Sequence, residues 1–242
     1  MRNISFAAIA LAAILVASYF FLGTQKPGSE PVPAMAASPA APSTAPGAST
    51  APAVVAQATP PAPQESGILA VTEDDRVLGK MTAPVTIVEY ASLTCPHCAA
   101  FHAGTVPKLK ATYIDGGQVR FVFRDYPLDG LALRAAMLAR CAPTDRYFPL
   151  LDAMFSSQGN WARSSDPLRA LAQIARLAGM PDGQIDSCLK DEAGLNLILA
   201  RSMEAESDLQ VSSTPTLFVN GTKYAGGRTF EELEAIIKPL IK

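Results

Sequence analysis

The stretch Thr94–His102 reads TCPHCAAFH: two cysteines flank Pro96-His97, and a second histidine stands four residues after Cys98. It follows directly on residues 83–92, APVTIVEYAS, a β-branched and apolar run suited to a buried strand. Four chemistries compete for such a stretch. A c-type haem attachment needs Cys-x-x-Cys-His, but residue 99 is alanine. Structural zinc wants a second pair of ligands at close spacing, whereas Cys141 and Cys188 stand singly. A copper- or zinc-binding module built on the same two thiols finds no Met/His-rich tract to support it. Pro-His between two cysteines, straight after a strand, is poor core material. A redox pair remains, with no metal and no cofactor.

Pro96 fits the first helical position, which puts Cys95 at the cap of the following helix. A thiolate there meets free backbone N–H groups and the positive end of the helix dipole. His97, as a donor or protonated, adds to this. Stabilising the thiolate stabilises the reduced form and makes the disulfide oxidising. Cys95 is thus expected to be the exposed, reactive thiol and Cys98 its more buried resolving partner. Glu89 lies six residues before Cys95 in an otherwise apolar strand, where a buried carboxylate can take and give the proton of Cys98. His102 reads as an ordinary helix residue.

Upstream, residues 4–22 carry no charge and are just long enough to cross a bilayer. Residues 1–26 therefore read as a membrane anchor, with a cleaved signal peptide as the alternative. Residues 27–66 form a Pro/Ala-rich spacer. Ten of the chain's 20 prolines fall within 27–63, with one charge, Glu30, and no aromatic residue. Such a segment cannot bury enough apolar surface to offset its chain entropy. The folded part is then residues 67–242, outside the cytoplasm on either reading. A net charge of −2 and the lack of a basic run argue against a nucleic-acid surface.

Downstream, AAFHAGTVPKLKATYI has helical spacing interrupted near Gly104 and Pro107, and QVRFVFRDYPL reads as a second strand. Between about 129 and 210 apolar residues recur at three and four, several segments open on an Asp cap, and Asp166-Pro167 places proline at a helix start. Strand chemistry returns in TPTLFVNGTKYAGG, with Asn220-Gly221 as a tight hairpin turn, and RTFEELEAIIKPLIK closes the chain as an amphipathic helix. The order predicts an α/β domain with an α-helical insertion. Cys141 and Cys188 both fall in the helical block. In an exported protein they most simply pair as a structural disulfide, the alternatives being free buried thiols or an auxiliary redox pair.

CPHC after VTIVEYAS, helices between, and SSTPTLFVNG about 120 residues later resemble the DsbA-like thiol oxidoreductases of bacterial envelopes, over about residues 83–242. The resemblance implies a thioredoxin-like fold with an inserted helical domain. It implies that Thr214-Pro215 is a cis-proline loop facing the redox pair, with the Thr214 backbone pairing with substrate beside Cys95. The family carries an acid at the place of Glu89. The function implied is disulfide donation to reduced exported proteins by a monomer in the periplasm, with reoxidation by a DsbB-type quinone-linked membrane partner. A membrane-tethered reductase and a DsbC-like isomerase are the rival readings. Isomerases of that kind carry an N-terminal dimerisation domain where this chain has its spacer.

Overall fold

The computed structural model describes residues 67–241. The anchor or signal expected at 1–26 and the spacer expected at 27–66 lie outside the described residues. Among those that are described, no helix is long and apolar enough to cross a membrane.

Five strands form one mixed sheet in the order β1-β3-β2-β4-β5. β2 (Val85–Ala91) runs parallel to β3 (Val119–Asp125), pairing Ile87 with Phe121 and Glu89 with Phe123. β4 (Thr216–Val219) lies antiparallel on the other side of β2, and β5 (Thr222–Ala225) closes that edge as a hairpin. The turn between them is Asn220-Gly221 with φ of 44° and 85°, the left-handed pair that a two-residue hairpin demands. β1 (Arg76–Leu78) pairs antiparallel with β3 and was not legible as a strand: it has three half-buried residues and no alternation.

All seven residues of β2 are buried, so both faces of the sheet are covered. Val85, Ile87 and Ala91 belong to the larger core with Phe121 and Phe123 of β3. Val88 and Tyr90 point the other way, to a smaller core with Leu69, Val122 and Phe218. Alternation along β2 therefore turns Glu89 into the larger core.

On that larger side lies α1 (Pro96–Gly104), followed by the short α2 (Val106–Leu109) and a π turn at Lys110–Ile114. The break falls at Gly104–Pro107, where the sequence places it. Between β3 and β4 come six helices: α3 (Gly130–Arg140), α4 (Thr144–Ser156), α5 (Gln158–Trp161), α6 (Pro167–Leu177), α7 (Asp182–Cys188) and α8 (Glu192–Leu209). Aspartates cap three of them: Asp129 accepts from Ala132 N, Asp166 from Arg169 N and Asp191 from Gly194 N. α9 (Phe230–Ile237) opens on a capping box of Thr229 and Glu232.

A buried ion pair fastens the first described residues to the smaller-core side of the sheet. Arg124 on β3 donates to both oxygens of Asp75 at 2.9 Å, to Tyr90 Oη at 3.0 Å, and to the carbonyls of Ile68 and Ala70. Burial pushes the Asp75 carboxyl up, but the Arg124 bonds and a backbone N–H from Thr72 outweigh it and hold the group below the usual carboxylate range.

Candidate active site

Pro96 occupies the first turn of α1 and Cys95 is its cap, with extended backbone at φ −79° and ψ 119°. That places Cys95 at the carboxyl end of the β2 run, on the first turn of a helix whose inner face carries Cys98, Phe101 and His102. Spacing at three and four residues makes those side chains one buried stripe. Pro96 and His97 face solvent. Both Cys95 and Cys98 carry free thiols.

Cys98 is fully buried, and burial, reinforced by the charge of Glu89, pushes its thiol well above the ordinary range. Cys98 therefore stays protonated until a base relieves it. Cys95 departs from the sequence expectation of an exposed thiol, being only 5 % exposed. The reason is the loop packed across it: Cys95 Sγ donates to the Thr214 carbonyl at 3.3 Å. The Thr214-Pro215 bond is cis. Thr214 and Pro215 also line an open groove of about 490 Å³ with His97, Phe101, Gly227 and Arg228. The structure thus brings Cys95, Pro96, His97, Cys98, Thr214 and Pro215 into one neighbourhood.

Glu89 is wholly buried on the inner face of β2, and its Oε2 lies 2.8 Å from His102 Nε2. The second histidine is therefore no ordinary helix residue. Its side chain is 2 % exposed, stacked on Phe155 at 4.3 Å between ring centres, and edge-on to Phe121 and Phe123. Burial alone would drive the imidazole to neutrality, but the Glu89 charge and the Asp152 carboxylate overcome it and raise His102 to about 9. A polar residue on the same helical stripe as Cys98 and Phe101 was the one signal available for this.

Two contacts from the helical block hold the redox loop. Gln158, buried on α5, donates to the carbonyls of Leu93 and Cys95 at 2.8 and 2.9 Å. Thr94 Oγ1 donates to Asp129 Oδ2 at 2.6 Å, so the cap of α3 also grips the residue before Cys95. Cys141 and Cys188 lie apart from this site. They form a disulfide from the end of α3 to the last residue of α7, 47 residues on.

A family model described as thioredoxin matches residues 71–239. A Rickettsia conorii protein named as a protein-disulfide oxidoreductase is 34 % identical over 154 residues, which are 63 % of this chain and 56 % of that protein. The match thus spans little more than half the length of that relative. Disulfide bond formation protein D of Bacillus subtilis is 27 % identical over 176 residues, 69 % of this chain and 77 % of its own. Among solved structures, alpha-DsbA1 of Wolbachia pipientis superposes with a TM-score of 0.68 at 32 % identity, covering 72 % of this chain and 94 % of that one. With a cysteine pair at the start of α1 set against a cis-proline loop, and a helical block between β3 and β4, the chain belongs to the thioredoxin family and, within it, to the DsbA-like thiol:disulfide oxidoreductases.

Proposed function

We propose that the protein donates disulfides to exported proteins through Cys95 and Cys98. The observation that carries this reading is the asymmetry of the pair: Cys95 sits at a helix start against Thr214, whose loop lines a solvent-open groove with His97, while Cys98 is sealed behind it. In the forward reaction a substrate thiolate attacks Cys95 Sγ of the oxidised pair. Cys98 leaves as a thiolate and takes a proton, for which Glu89 is the donor. A second substrate thiolate then attacks the substrate sulfur of the mixed disulfide, and Cys95 departs as a thiolate. The substrate has lost two electrons and the Cys95–Cys98 pair has gained them. Pro96 sets the helix start, His97 at the groove wall favours the departing Cys95 thiolate, and the Thr214 backbone beside Pro215 pairs with the substrate chain. Cys141–Cys188 serves as a structural crosslink.

By family analogy, reoxidation falls to a DsbB-type quinone-linked membrane partner. We further propose that the protein works as a monomer in the periplasm, tethered by residues 4–22 through the 27–66 spacer, with a soluble form after signal cleavage as the alternative. No nucleic acid, metal or cofactor enters this reading.

The test is the reduction potential of Cys95–Cys98 in the full chain, equilibrated with glutathione, with a Cys141→Ser/Cys188→Ser variant as control. A value near about −120 mV, that of a strongly oxidising family member, supports disulfide donation. A value near about −270 mV, the thioredoxin level, overturns it in favour of a tethered reductase.

A further inference from the structure

The two ring nitrogens of His102 face two different carboxylates. Nε2 lies 2.8 Å from Oε2 of the wholly buried Glu89, and Nδ1 lies 3.8 Å from Oδ1 of Asp152, whose side chain is 63 % exposed. Nδ1 is itself buried and makes no hydrogen bond, and Oε1 of Glu89 is likewise buried and unpartnered. An imidazole whose only need was to neutralise Glu89 would not require its far nitrogen to be left open toward a surface carboxylate. The groups around the ring allow a full account. β2 contributes Glu89, α4 contributes Asp152 and, close enough to feel the Glu89 charge, Tyr147, and α1 contributes Cys98; β3 presents only Phe121 and Phe123 to the ring. Cys98 is sealed from water, so its proton needs a route.

We propose that His102 is a positioning residue for the thiol exchange, acting through Glu89 to couple the proton of Cys98 to solvent at Asp152. This rests on the disulfide-exchange reading above. When a mixed disulfide on Cys95 closes, Cys98 gives its proton to Glu89, and the Cys98 thiolate attacks Cys95 Sγ. The Cys95–Cys98 bond forms, the bond to the outer sulfur breaks, and the outer thiolate leaves with the electron pair. Neutralising Glu89 removes the anion that held the imidazolium, so Nδ1 releases its proton to Asp152, whose exposed side chain turns in to close the 3.8 Å gap, and thence to water. One proton has left Cys98 and one has reached solvent, with no net charge left in the core. When the disulfide is later reduced, the Cys98 thiolate recovers the proton from Glu89 and His102 reloads through Asp152. The pair Glu89/His102 thus alternates between two neutral groups and a salt bridge, a much smaller cost than burying one uncompensated charge.

The experiment is stopped-flow closure of a Cys95–glutathione mixed disulfide in the full chain between pH 6 and pH 9, for wild type, H102Q, H102A, D152N and E89Q. His102→Gln keeps a donor to Glu89 but cannot change charge. Closure should slow by at least about tenfold, below the roughly 10²–10⁴ of a group that itself transfers the reacting proton, because His102 acts through Glu89. The wild-type solvent deuterium isotope effect should be lost from the pH profile at the same time. Asp152→Asn, at an exposed position, should slow closure several-fold, and added imidazole should restore H102A. If H102Q and D152N close at the wild-type rate while E89Q is slow, the relay is wrong and Glu89 exchanges its proton by another route. Slowing of H102A that imidazole does not relieve, with D152N unaffected, also overturns it, leaving a packing role. If the wild-type chain forms no mixed disulfide at Cys95, the oxidoreductase reading itself has failed.

Discussion

Gln158 donates to the carbonyl of Cys95 at 2.9 Å, from a helix 63 residues further along the chain. The same nitrogen reaches Leu93 O, so one buried amide fixes the loop on either side of Thr94. The helical insertion is therefore part of the redox site's frame. Because the Cys95 carbonyl also accepts from Ala99 N, it is committed to two donors, one from its own helix and one from the insertion.

Removing that amide should cost both contacts. Gln158→Ala is expected to destabilise the reduced protein by about 1–3 kcal/mol, since it leaves the Leu93 carbonyl short of its buried donor. Chemical denaturation of the reduced form measures this. An unchanged midpoint would mean that the loop is held without Gln158.

The Arg124–Asp75 pair makes a sharper prediction, because its side chains are 7 % and 1 % exposed. Arg124→Ala strips Asp75 of its bidentate partner, leaving it Thr72 N at 2.8 Å and Arg201 Nη1 at 3.6 Å, and should cost about 3 kcal/mol, the low end for breaking a buried pair. Asp75 has its carboxyl held down in the fold, so its contribution is present above the unfolded value near 3.8 and is lost as pH falls through the lower folded value. Acid titrations of wild type and D75N should converge in that window; parallel curves would contradict the pairing.

For His102 the sign reverses. Its folded pKa of about 9 lies above the ordinary 6.5, so the stability it supplies is complete below 6.5 and is lost as pH rises through about 9. At about 1.36 kcal/mol per pH unit, the advantage of wild type over H102Q should shrink by on the order of 3 kcal/mol across that range. Urea denaturation at pH 6 and at pH 9.5 decides it. A constant gap would show that the imidazole does not hold its proton in the core.

The disulfide between Cys141 and Cys188 closes a loop 47 residues long. Chain-entropy arguments give such a crosslink about 4 kcal/mol, often less in practice. Replacing both cysteines with serine should lower the thermal midpoint while the Cys95 thiol still titrates with a thiol reagent. Loss of Cys95 reactivity together with stability would tie the crosslink to the redox loop.

What was legible in the sequence was what depends on near neighbours. Pro96 announces the start of α1 and Asn220-Gly221 the hairpin. The Asp caps mark three helices, and Gly104 and Pro107 mark the break after α1. Glu89 could be suspected from its place in an apolar strand. What was hidden depends on pairing across the fold. Gln158 meets Leu93 and Cys95 more than 60 residues away, and Arg124 finds Asp75 at a separation of 49. The accessibility of Cys95 is decided by a carbonyl 119 residues on. The His102 partnership is the intermediate case. Its helical stripe with Cys98 could be read, but that the stripe faces Glu89 needed the sheet order and the direction of β2.

The grip of Arg124 on the carbonyls of Ile68 and Ala70 lies on the face of the sheet opposite α1. The first described residues are therefore moored to the back of β3 by a side chain whose neighbour Phe123 turns the other way, into the core on the α1 side. The mooring and the Cys95–Thr214 contact thus stand on opposite faces of one sheet, joined through the paired strands β3 and β2.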